Sequence, residues 1–519
     1  YEMLSGDEED RLHTGRIVPI YRLTEKVTQR MLRRWVWTAL EALNQTGPDA
    51  LLQETLPESL RQKYKYPSIE QTVRAGHFPD NMESVEPARA RLAYEELLGI
   101  QLGVLRLRAA RHGQEHGIAH RAGPCLKALA DTLPFTLTTA QSRAVNDILA
   151  DMTSSRPMLR LLQGDVGCGK TVVAVHAIAC AADGGYQTAL MAPTEILAEQ
   201  HFLTLSDMLT PLGLRLELLT GSTRGAATVR RRVARGEVDL VVGTHALIQE
   251  KTAFHQLGLV IIDEQHRFGV CQRGRLAEKG LNPDVLHMTA TPIPRTLALT
   301  VYGAMDVTVI DELPPGRSPV KTRCVPAAKL PGLHQYIIDQ AKAGFQTYYI
   351  CPLVEESDKR QVAAVTSHYD VLSNEAFSEL RTALIHGRLA SDEKEPIMRA
   401  FKQGQLDVLF STTVIEVGVD VPNATTMVIE DAAQFGLTQL HQLRGRVGRG
   451  PAQAYCFLLG KPQTPDGQRR LDALCAMTSG FDVAEEDLKL RGPGEFHGVR
   501  QAGDRKSTRL NSSHRTVSR

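Results

Sequence analysis

The sequence has few aromatic residues and almost no net charge. Aromatic side chains make up 5% of its 519 residues. That is too few for a protein that stacks many bases of a single strand. The 60 Lys and Arg residues are balanced by 59 Asp and Glu residues, so the formal net charge is +1. This balance argues against a histone-like binder, but it is compatible with nucleic-acid binding through a local basic groove.

Paired cysteines and long apolar runs are also missing. None of the eight cysteines has a partner at CxxC spacing, which argues against a zinc ribbon. Nothing indicates a disulfide framework, so we expect a reducing cytoplasm. No apolar run reaches the roughly 18 residues that a membrane span needs. The chain begins at Tyr1 without a signal-peptide pattern, and we expect a fragment that lacks its natural N-terminus.

The pattern of apolar residues changes twice along the chain. Residues 26–130 carry leucines at helical spacing. Residues 131–313 and 314–465 each alternate short apolar runs, such as LGLVIIDE and ATTMVIED, with helical stretches. Continuous apolar runs of this length are typical of strands buried on both faces of a parallel sheet. We therefore predict an α/β protein with two tandem parallel-sheet lobes behind a helical region. The Ser- and Arg-rich tail, 504–519, is expected to be disordered or non-native.

The strongest local motif is GDVGCGKT, which runs from Gly164 to Thr171 and fits the phosphate-loop pattern. It follows a predicted strand and precedes a predicted helix. Glycines such as Gly167 and Gly169 let backbone N–H groups surround a phosphate, and the helix N-terminus favours its negative charge. Lys170 would reach the β- and γ-phosphates, and the Thr171 hydroxyl would bind Mg²⁺. A chance glycine-rich turn is the alternative interpretation.

Two further motifs fit the chemistry of nucleotide hydrolysis. Asp263 and Glu264 end the apolar run VIIDE, where Asp263 would hold Mg²⁺ directly or through water and Glu264 would activate the attacking water. The segment QLHQLRGRVGRG contains Arg446 and Arg449, whose guanidinium groups could stabilise charge on the γ-phosphate. Because these arginines belong to the second lobe, we expect ATP to bind between the lobes. A solvated basic loop is the simpler alternative for this segment.

With these motifs in place, the chain resembles the superfamily-2 helicases. LTTAQ, APTEILAEQH, LLTGS, GTHAL, TATPIPRT and STTVIEVGVDVPNA match the remaining helicase motifs in order. The resemblance implies that Gln141 reads adenine and that Asp420 lies near the nucleotide. It implies that the following residues contact DNA or couple it to ATP: Thr194, Thr220, Thr244, His245, His266, Thr289, Thr291 and Thr412.

Within that superfamily the chain is similar to the RecG family, from about residue 15 to residue 503. DEQHRFGV, TATPIPRTLAL and LKLRGPGEFHGVRQAG carry this similarity, and the last resembles a translocation motif in which Arg491 and Gln501 match the functional positions. The resemblance implies a helical-hairpin translocation motif over 466–503. It also implies that residues 1–25 are the end of a truncated wedge domain with an oligonucleotide-binding fold.

The same resemblance implies a function. It is an ATP- and Mg²⁺-dependent translocase or helicase on duplex DNA that remodels stalled forks, Holliday junctions and R-loops. The implied partners are branched or duplex DNA and single-stranded DNA-binding protein, and we expect a monomer in the bacterial cytoplasm, at the nucleoid. Three alternatives are a transcription-repair coupling translocase, an RNA helicase and a fragment that binds ATP without turnover. DEQH together with the translocation motif argues against the RNA helicase.

Overall fold

A computed structural model describes residues 12, 16–21, 23–24, 26–42, 52–112, 117–264, 275–291, 305–315, 318–351, 358–389, 391–412, 421–462 and 464–491. The described residues form two compact units that divide between Arg111 and His112. Within these ranges no helix combines the length and the apolar character that crossing a bilayer requires.

The first unit is helical. Its described helices are α1 (Gln29–Ala42), α2 (Glu58–Tyr64), α3 (Ile69–His77) and α4 (Val85–His112). A capping box begins α3, where the Ser68 and Gln71 side chains each accept a hydrogen bond from the other residue's backbone N–H. Arg91 of α4 is fully buried. Its guanidinium donates to Glu95 at 3.0 Å, to the Glu54 carboxylate and to the Pro67 carbonyl, and this pairing offsets the cost of a buried charge.

The second unit contains two sheets in which every strand pair is parallel. The first sheet has the strand order β3-β4-β2-β5-β6-β1-β7 and the second has β10-β11-β9-β12-β13-β8. The strands of the first sheet are β1 (Leu159–Gly164), β2 (Gln187–Met191), β3 (Leu216–Leu219), β4 (Leu240–Gly243), β5 (Leu257–Ile262), β6 (Asp284–Thr289) and β7 (Asp306–Ile310). Those of the second are β8 (Lys321–Val325), β9 (Gln346–Ile350), β10 (Thr382–Ile385), β11 (Val408–Ser411), β12 (Ala424–Ile429) and β13 (Tyr455–Leu459).

Helices connect the strands of each sheet. We call β1–β7 with α5–α9 lobe 1, β8–β13 with α10–α13 lobe 2, and α14–α15 the hairpin. The helices of lobe 1 are α5 (Pro124–Thr132), α6 (Thr139–Met152), α7 (Lys170–Asp183), α8 (Glu195–Leu209) and α9 (Ala226–Ala234). Those of lobe 2 are α10 (Leu330–Lys342), α11 (Asp358–Asn374), α12 (Ser391–Lys402) and α13 (Leu437–Arg444). The hairpin consists of α14 (Pro465–Ala476) and α15 (Gly480–Arg491).

The central strands are buried on both faces, as the apolar runs predicted. All six residues of β5 and all six of β12 are buried. Each sheet separates two apolar clusters, one on each face. The prediction of two tandem parallel-sheet lobes is therefore confirmed.

Three strands lie outside the apolar runs seen in the sequence. They are β3, β7 and β8, and each lies at an edge of its sheet. Edge strands are paired on one side only, so their residues need not be apolar; β8, for example, has no buried residue. The apolar runs of the sequence therefore identify the central strands of a sheet better than its edge strands.

The two lobes repeat the same polar clasp between neighbouring strands. In lobe 1 the Arg215 guanidinium and backbone N–H both donate to Asp239, with 2.8 Å from Nη2 to Oδ1. In lobe 2 Arg381 and Asp407 form the same contacts, with 2.6 Å between the equivalent atoms. Each arginine directly precedes an edge strand and each aspartate directly precedes its neighbour. In both lobes the clasp thus sets the position at which the edge strand begins beside its neighbour.

The clasp predicts a stability that depends on pH. Burial raises the pKa of Asp407, but the hydrogen bonds and charge of Arg381 outweigh this effect and the pKa lies below its usual range. The ionised form therefore stabilises lobe 2 above about pH 4, and this contribution is lost as the pH falls through the lowered pKa. We expect Asp407→Asn to lower the free energy of unfolding by about 1–2 kcal/mol at neutral pH, with a deficit that shrinks in acid.

Urea unfolding at several pH values checks this expectation. Asp370→Asn is the matched control, because Asp370 is exposed on α11, and it should change the free energy of unfolding by less than about 0.5 kcal/mol. A deficit for Asp407→Asn that stays equally large at about pH 3 would contradict the assigned role of the carboxylate.

Candidate nucleotide site and its link to the second lobe

The predicted phosphate loop connects β1 to α7 in lobe 1. Gly167 and Gly169 have φ values of +76° and +89°, which L side chains rarely adopt. These backbone angles allow the loop to turn tightly before α7 begins at Lys170. The Lys170 ammonium donates to the Gly164 and Asp165 carbonyls at 2.8 and 3.0 Å. These two short contacts place the ammonium inside the loop, within reach of any phosphate that the loop holds.

Gln141 of α6 is attached directly to this loop. Its side-chain amide donates to the Cys168 carbonyl at 2.9 Å and accepts from the Thr138 N–H at 2.9 Å. A Cβ at Gly169 would lie 2.3 Å from the Gln141 Nε2, and the φ of +89° at this position is one that L side chains rarely adopt, so both observations favour glycine. Each end of the amide keeps one further hydrogen-bonding site, which is what adenine recognition would use.

Asp263 lies at the carboxyl end of β5, beside the loop. Burial raises its pKa, but the hydrogen bond and charge of His201 and the charge of Lys170 outweigh burial, so the net pKa is lowered. The carboxylate is therefore ionised and accepts from His201 Nε2 at 2.8 Å. An ionised carboxylate and the Thr171 hydroxyl are oxygen ligands of the kind that Mg²⁺ prefers. The next residue, Glu264, has a φ of +50°, a value that is uncommon outside glycine.

Asp165 of the loop forms the main polar link to lobe 2. Its Oδ1 accepts from His441 Nε2 at 2.8 Å and its Oδ2 accepts from the Gly480 N–H at 3.2 Å. Burial raises the pKa of Asp165, but the hydrogen bond from His441, the hydrogen bond from the Val166 N–H and the charge of Lys170 act against burial, and the net pKa is lowered. One carboxylate thus connects the phosphate loop to α13 and to the start of α15.

The link continues through His441 to Arg444. Nδ1 of His441 accepts from the Arg444 guanidinium at 2.8 Å, and since Nε2 donates to Asp165, the tautomer of the ring is fixed. Arg444 is buried and also donates to the carbonyls of Leu474, Met477 and Thr478, at 2.8, 2.7 and 3.1 Å. These carbonyls belong to the end of α14 and the turn of the hairpin. We call the chain Asp165–His441–Arg444 the relay.

Other contacts join the lobes around the relay. Gln442 of α13 donates to the Thr291 hydroxyl, beyond β6 of lobe 1, at 2.8 Å. The Thr291 N–H in turn donates to the Thr289 hydroxyl at 3.1 Å. The backbone of Gly445 lies against the phosphate loop, because a Cβ there would be 3.0 Å from the Val166 Cβ. A cavity of about 310 Å³ lies beside the relay.

The hydroxyl groups predicted to contact DNA lie near strand ends. Thr244 directly follows β4 and Thr412 directly follows β11, and both are buried. Thr194 caps α8 by accepting from the Leu197 N–H at 3.4 Å. Thr220 follows β3 and shares a hydroxyl cluster with neighbouring side chains. His245 is exposed.

Not every predicted residue can be placed. Asp420, His266 and Gln501 lie outside the described residues, and Arg491 ends α15 without a described side chain. Arg446 is buried and Arg449 half-buried in the segment after α13. Their contacts with a nucleotide remain a prediction.

Four residues of this site were not predicted from the sequence: Asp165, His201, His441 and Arg444. Three of them lie inside motifs that were recognised, GDVGCGKT and QLHQLRGRVGRG, and His201 ends APTEILAEQH. The available signal was an ionisable residue within each motif. Nothing in the spacing indicated which residue would meet which, because the pair Asp165 and His441 is separated by 276 residues.

A phosphate loop in the first of two parallel-sheet lobes, in contact with an arginine-rich segment of the second, defines the class of two-lobed helicases. Family models agree with this assignment. The model described as DEAD/DEAH box helicase matches residues 138–300, and that described as helicase conserved C-terminal domain matches residues 328–451. The lobes are therefore RecA-like helicase lobes.

Individual relatives define the family within this class. The ATP-dependent DNA helicase RecG of Synechocystis sp. is 48% identical over 497 residues, which are 95% of this chain and 59% of the relative. RecG of Bacillus subtilis is 48% identical over 94% of this chain and 71% of its own length. A solved structure of RecG bound to a three-way DNA junction matches with a TM-score of 0.77 and 42% identity, over 94% of this chain and 64% of that one.

The chain belongs to the RecG family. It spans 59% of the Synechocystis relative and 71% of the Bacillus subtilis relative.

Proposed function

We propose that this chain is an ATP-driven motor on duplex DNA that remodels branched DNA, including stalled forks, Holliday junctions and R-loops. The observation that carries the proposal is the relay, which joins the phosphate loop at Asp165 to the turn of the hairpin through His441 and Arg444. A motor needs such a path between the nucleotide and an element that moves DNA. The family membership supports DNA as the track.

The proposed hydrolysis uses residues of both lobes. ATP would be held by the phosphate loop, with Lys170 moving from the loop carbonyls to the β- and γ-phosphates and Gln141 at the adenine. Thr171 and Asp263 would hold Mg²⁺, which supplies positive charge against the phosphates. His201 keeps the Asp263 carboxylate oriented through its 2.8 Å hydrogen bond. Glu264 would take the proton of the attacking water.

Lobe 2 would complete the site and transmit its state. We assign Arg446 and Arg449 to the γ-phosphate, because their guanidinium groups suit its charge. We assign Asp420 to the nucleotide, as the resemblance implies. When the phosphates leave, Lys170 is free to return to the Gly164 and Asp165 carbonyls. This movement of a positive charge changes the electrostatic potential at Asp165. It therefore changes the hydrogen bond from His441 to Asp165, which is the first contact of the relay. Arg444 then transmits the change to three carbonyls at the end of α14 and in the hairpin turn, which would shift α14 and α15 against the duplex.

DNA contacts are proposed along the strand ends. Hydroxyl groups and backbone N–H groups hold phosphates without reading sequence, which suits a motor that moves along any DNA. The proposed contacts or coupling residues are Thr194, Thr220, Thr244, His245, His266, Thr289, Thr291, Thr412, Arg491 and Gln501. We further propose that the protein acts as a monomer at the bacterial nucleoid and has single-stranded DNA-binding protein as a partner.

Steady-state ATP hydrolysis with different DNAs tests the proposal. Rates are compared without DNA and with single-stranded DNA, linear duplex and a three-way junction with the same number of base pairs and ends as the duplex. We expect the junction to raise the rate about 5- to 150-fold, the range that a coupling of 1–3 kcal/mol between two sites provides. Equal stimulation of ATP hydrolysis by linear duplex would support a motor on duplex DNA and would show that it has no preference for branch points. Hydrolysis that no DNA changes would refute the motor, and absence of hydrolysis would leave an ATP-binding fragment.

A further inference from the structure

Two exposed cysteines face each other at the junction of lobe 2 and the hairpin. Cys324 lies in the edge strand β8, and Cys475 lies in the last turn of α14. Their sulfur atoms are 3.8 Å apart, although the residues are separated by 151 positions. A disulfide bond needs about 2.05 Å between the sulfurs, and small changes in side-chain torsion close a gap of this size.

We propose that Cys324 and Cys475 form an oxidation site, which a peroxide converts into a disulfide that fixes the end of α14 to β8. The two cysteines lie in different parts of the structure, because α14 is one arm of the hairpin and β8 belongs to the sheet of lobe 2. The bond would covalently join an arm of the hairpin to the sheet of lobe 2.

The electrostatics assign a different role to each thiol. The hydrogen bond with Cys324 lowers the pKa of Cys475 to about 7, against the opposing effects of burial and of Asp472, and the charge of Arg444 contributes to the lowering. The same hydrogen bond, together with burial, raises the pKa of Cys324. Since the thiolate is the nucleophile, Cys475 attacks the oxidant and Cys324 closes the bond.

The reaction balances with hydrogen peroxide as the oxidant. The Cys475 thiolate attacks one peroxide oxygen, the O–O bond breaks, and sulfenic acid and hydroxide form. The sulfur of Cys324 then attacks the sulfenic sulfur, the S–O bond breaks, and water leaves with the thiol proton. In sum, two thiols and one peroxide give one disulfide and two waters, and the two electrons pass from sulfur to oxygen.

The other described cysteines make the site selective. Burial raises the pKa of Cys180 to about 11 and that of Cys456 to about 12, and both side chains are fully buried. Cys125 is half-buried, and burial together with the charge of Asp183 raises its pKa. Cys475 thus differs from these thiols in both access and acidity.

The consequence for movement rests on the proposed function. Cys475 follows Leu474, whose carbonyl accepts from Arg444 of the relay. A disulfide would hold this end of α14 against β8 and oppose any shift of the hairpin turn. We expect oxidation to slow ATP-dependent movement on duplex DNA by about 2- to 30-fold, the range typical of changes along a coupling path. Reduction with dithiothreitol should restore the movement.

Peptide mass spectrometry and hydrogen exchange of the whole chain test the site without reference to movement. After peroxide treatment and alkylation we expect a cross-linked peptide that joins Cys324 and Cys475, and slower amide exchange in 465–476 by about tenfold. Both changes should be absent in Cys324→Ser and present in Cys125→Ser. Oxidation of Cys475 to sulfinic acid while Cys324 stays reduced would overturn the proposal, as would an unreactive pair.

The displacement of a third strand from a DNA triplex measures movement on the same samples. Full movement by the cross-linked protein would overturn the functional consequence. Absence of movement by the reduced protein would count against the proposed motor, and the cross-linked peptide would still decide the oxidation site.

Discussion

Replacement of Lys170 by alanine is expected to lower the rate of ATP hydrolysis by about 10²- to 10³-fold, the usual cost of removing one charged or hydrogen-bonding donor from a developing negative charge. The ammonium is held inside the phosphate loop by the Gly164 and Asp165 carbonyls, and its charge helps to keep Asp263 ionised. Alanine removes the positive charge from the loop, and it also removes the contribution of this charge to the ionisation of Asp263. Steady-state hydrolysis at saturating ATP gives the rate.

Two variants separate this loss from misfolding. Lys251→Ala is the matched control, because Lys251 is exposed in the same lobe, and it should leave hydrolysis unchanged. Lys170→Arg keeps the charge but brings a planar group that fits the loop poorly, so we expect it to recover little activity. Hydrolysis by Lys170→Ala at more than about a tenth of the normal rate would show that the loop is not the catalytic nucleotide site.

Replacement of Arg444 by alanine is expected to disconnect the hairpin from the nucleotide site. Three carbonyls at the end of α14 and in the turn lose this donor, at roughly 1–3 kcal/mol for each group that water does not reach. With about 3 kcal/mol lost in total, amide exchange around the hairpin turn should accelerate about a hundredfold. Hydrolysis without DNA should persist, whereas its stimulation by DNA should largely disappear.

Hydrogen exchange and hydrolysis are measured together on each variant. Arg469→Ala is the control, because Arg469 is exposed on α14 of the same hairpin, and it should change neither quantity. Arg444→Lys should recover part of the protection, since one ammonium cannot bond three carbonyls and His441 in the guanidinium geometry. Normal stimulation of ATP hydrolysis by DNA in Arg444→Ala, although amide exchange at the turn is faster, would show that the relay has no part in the mechanism.

The parts of this protein that depend on residues adjacent in the sequence could be predicted from it. The phosphate loop is a contiguous motif, and its strand, glycines and helix occur where the pattern requires them. The central strands are buried on both faces, and their apolar residues identify them without further information. In contrast, the edge strand β8 has no buried residue, and its hydrogen bonds to β13 define it.

Contacts between distant segments could not be predicted from the sequence. The arginine-rich segment indicated Arg446 and Arg449 for the nucleotide, while the residue that reaches the hairpin is Arg444 of the same segment. The choice depends on the direction of the last turn of α13 and on the position of the hairpin turn, which only tertiary packing sets. The same is true of Cys324 and Cys475, which are unremarkable in the sequence and adjacent in space.

Displacement of a third DNA strand from a linear duplex is the most direct measurement of ATP-driven movement, because it requires no branch point. We expect the unmodified chain to displace the strand in a manner that depends on ATP and Mg²⁺. We expect no displacement by Lys170→Ala, and little by Arg444→Ala even though that variant still hydrolyses ATP. Normal displacement by Arg444→Ala would contradict the relay, and hydrolysis by the unmodified chain without displacement would contradict the motor itself.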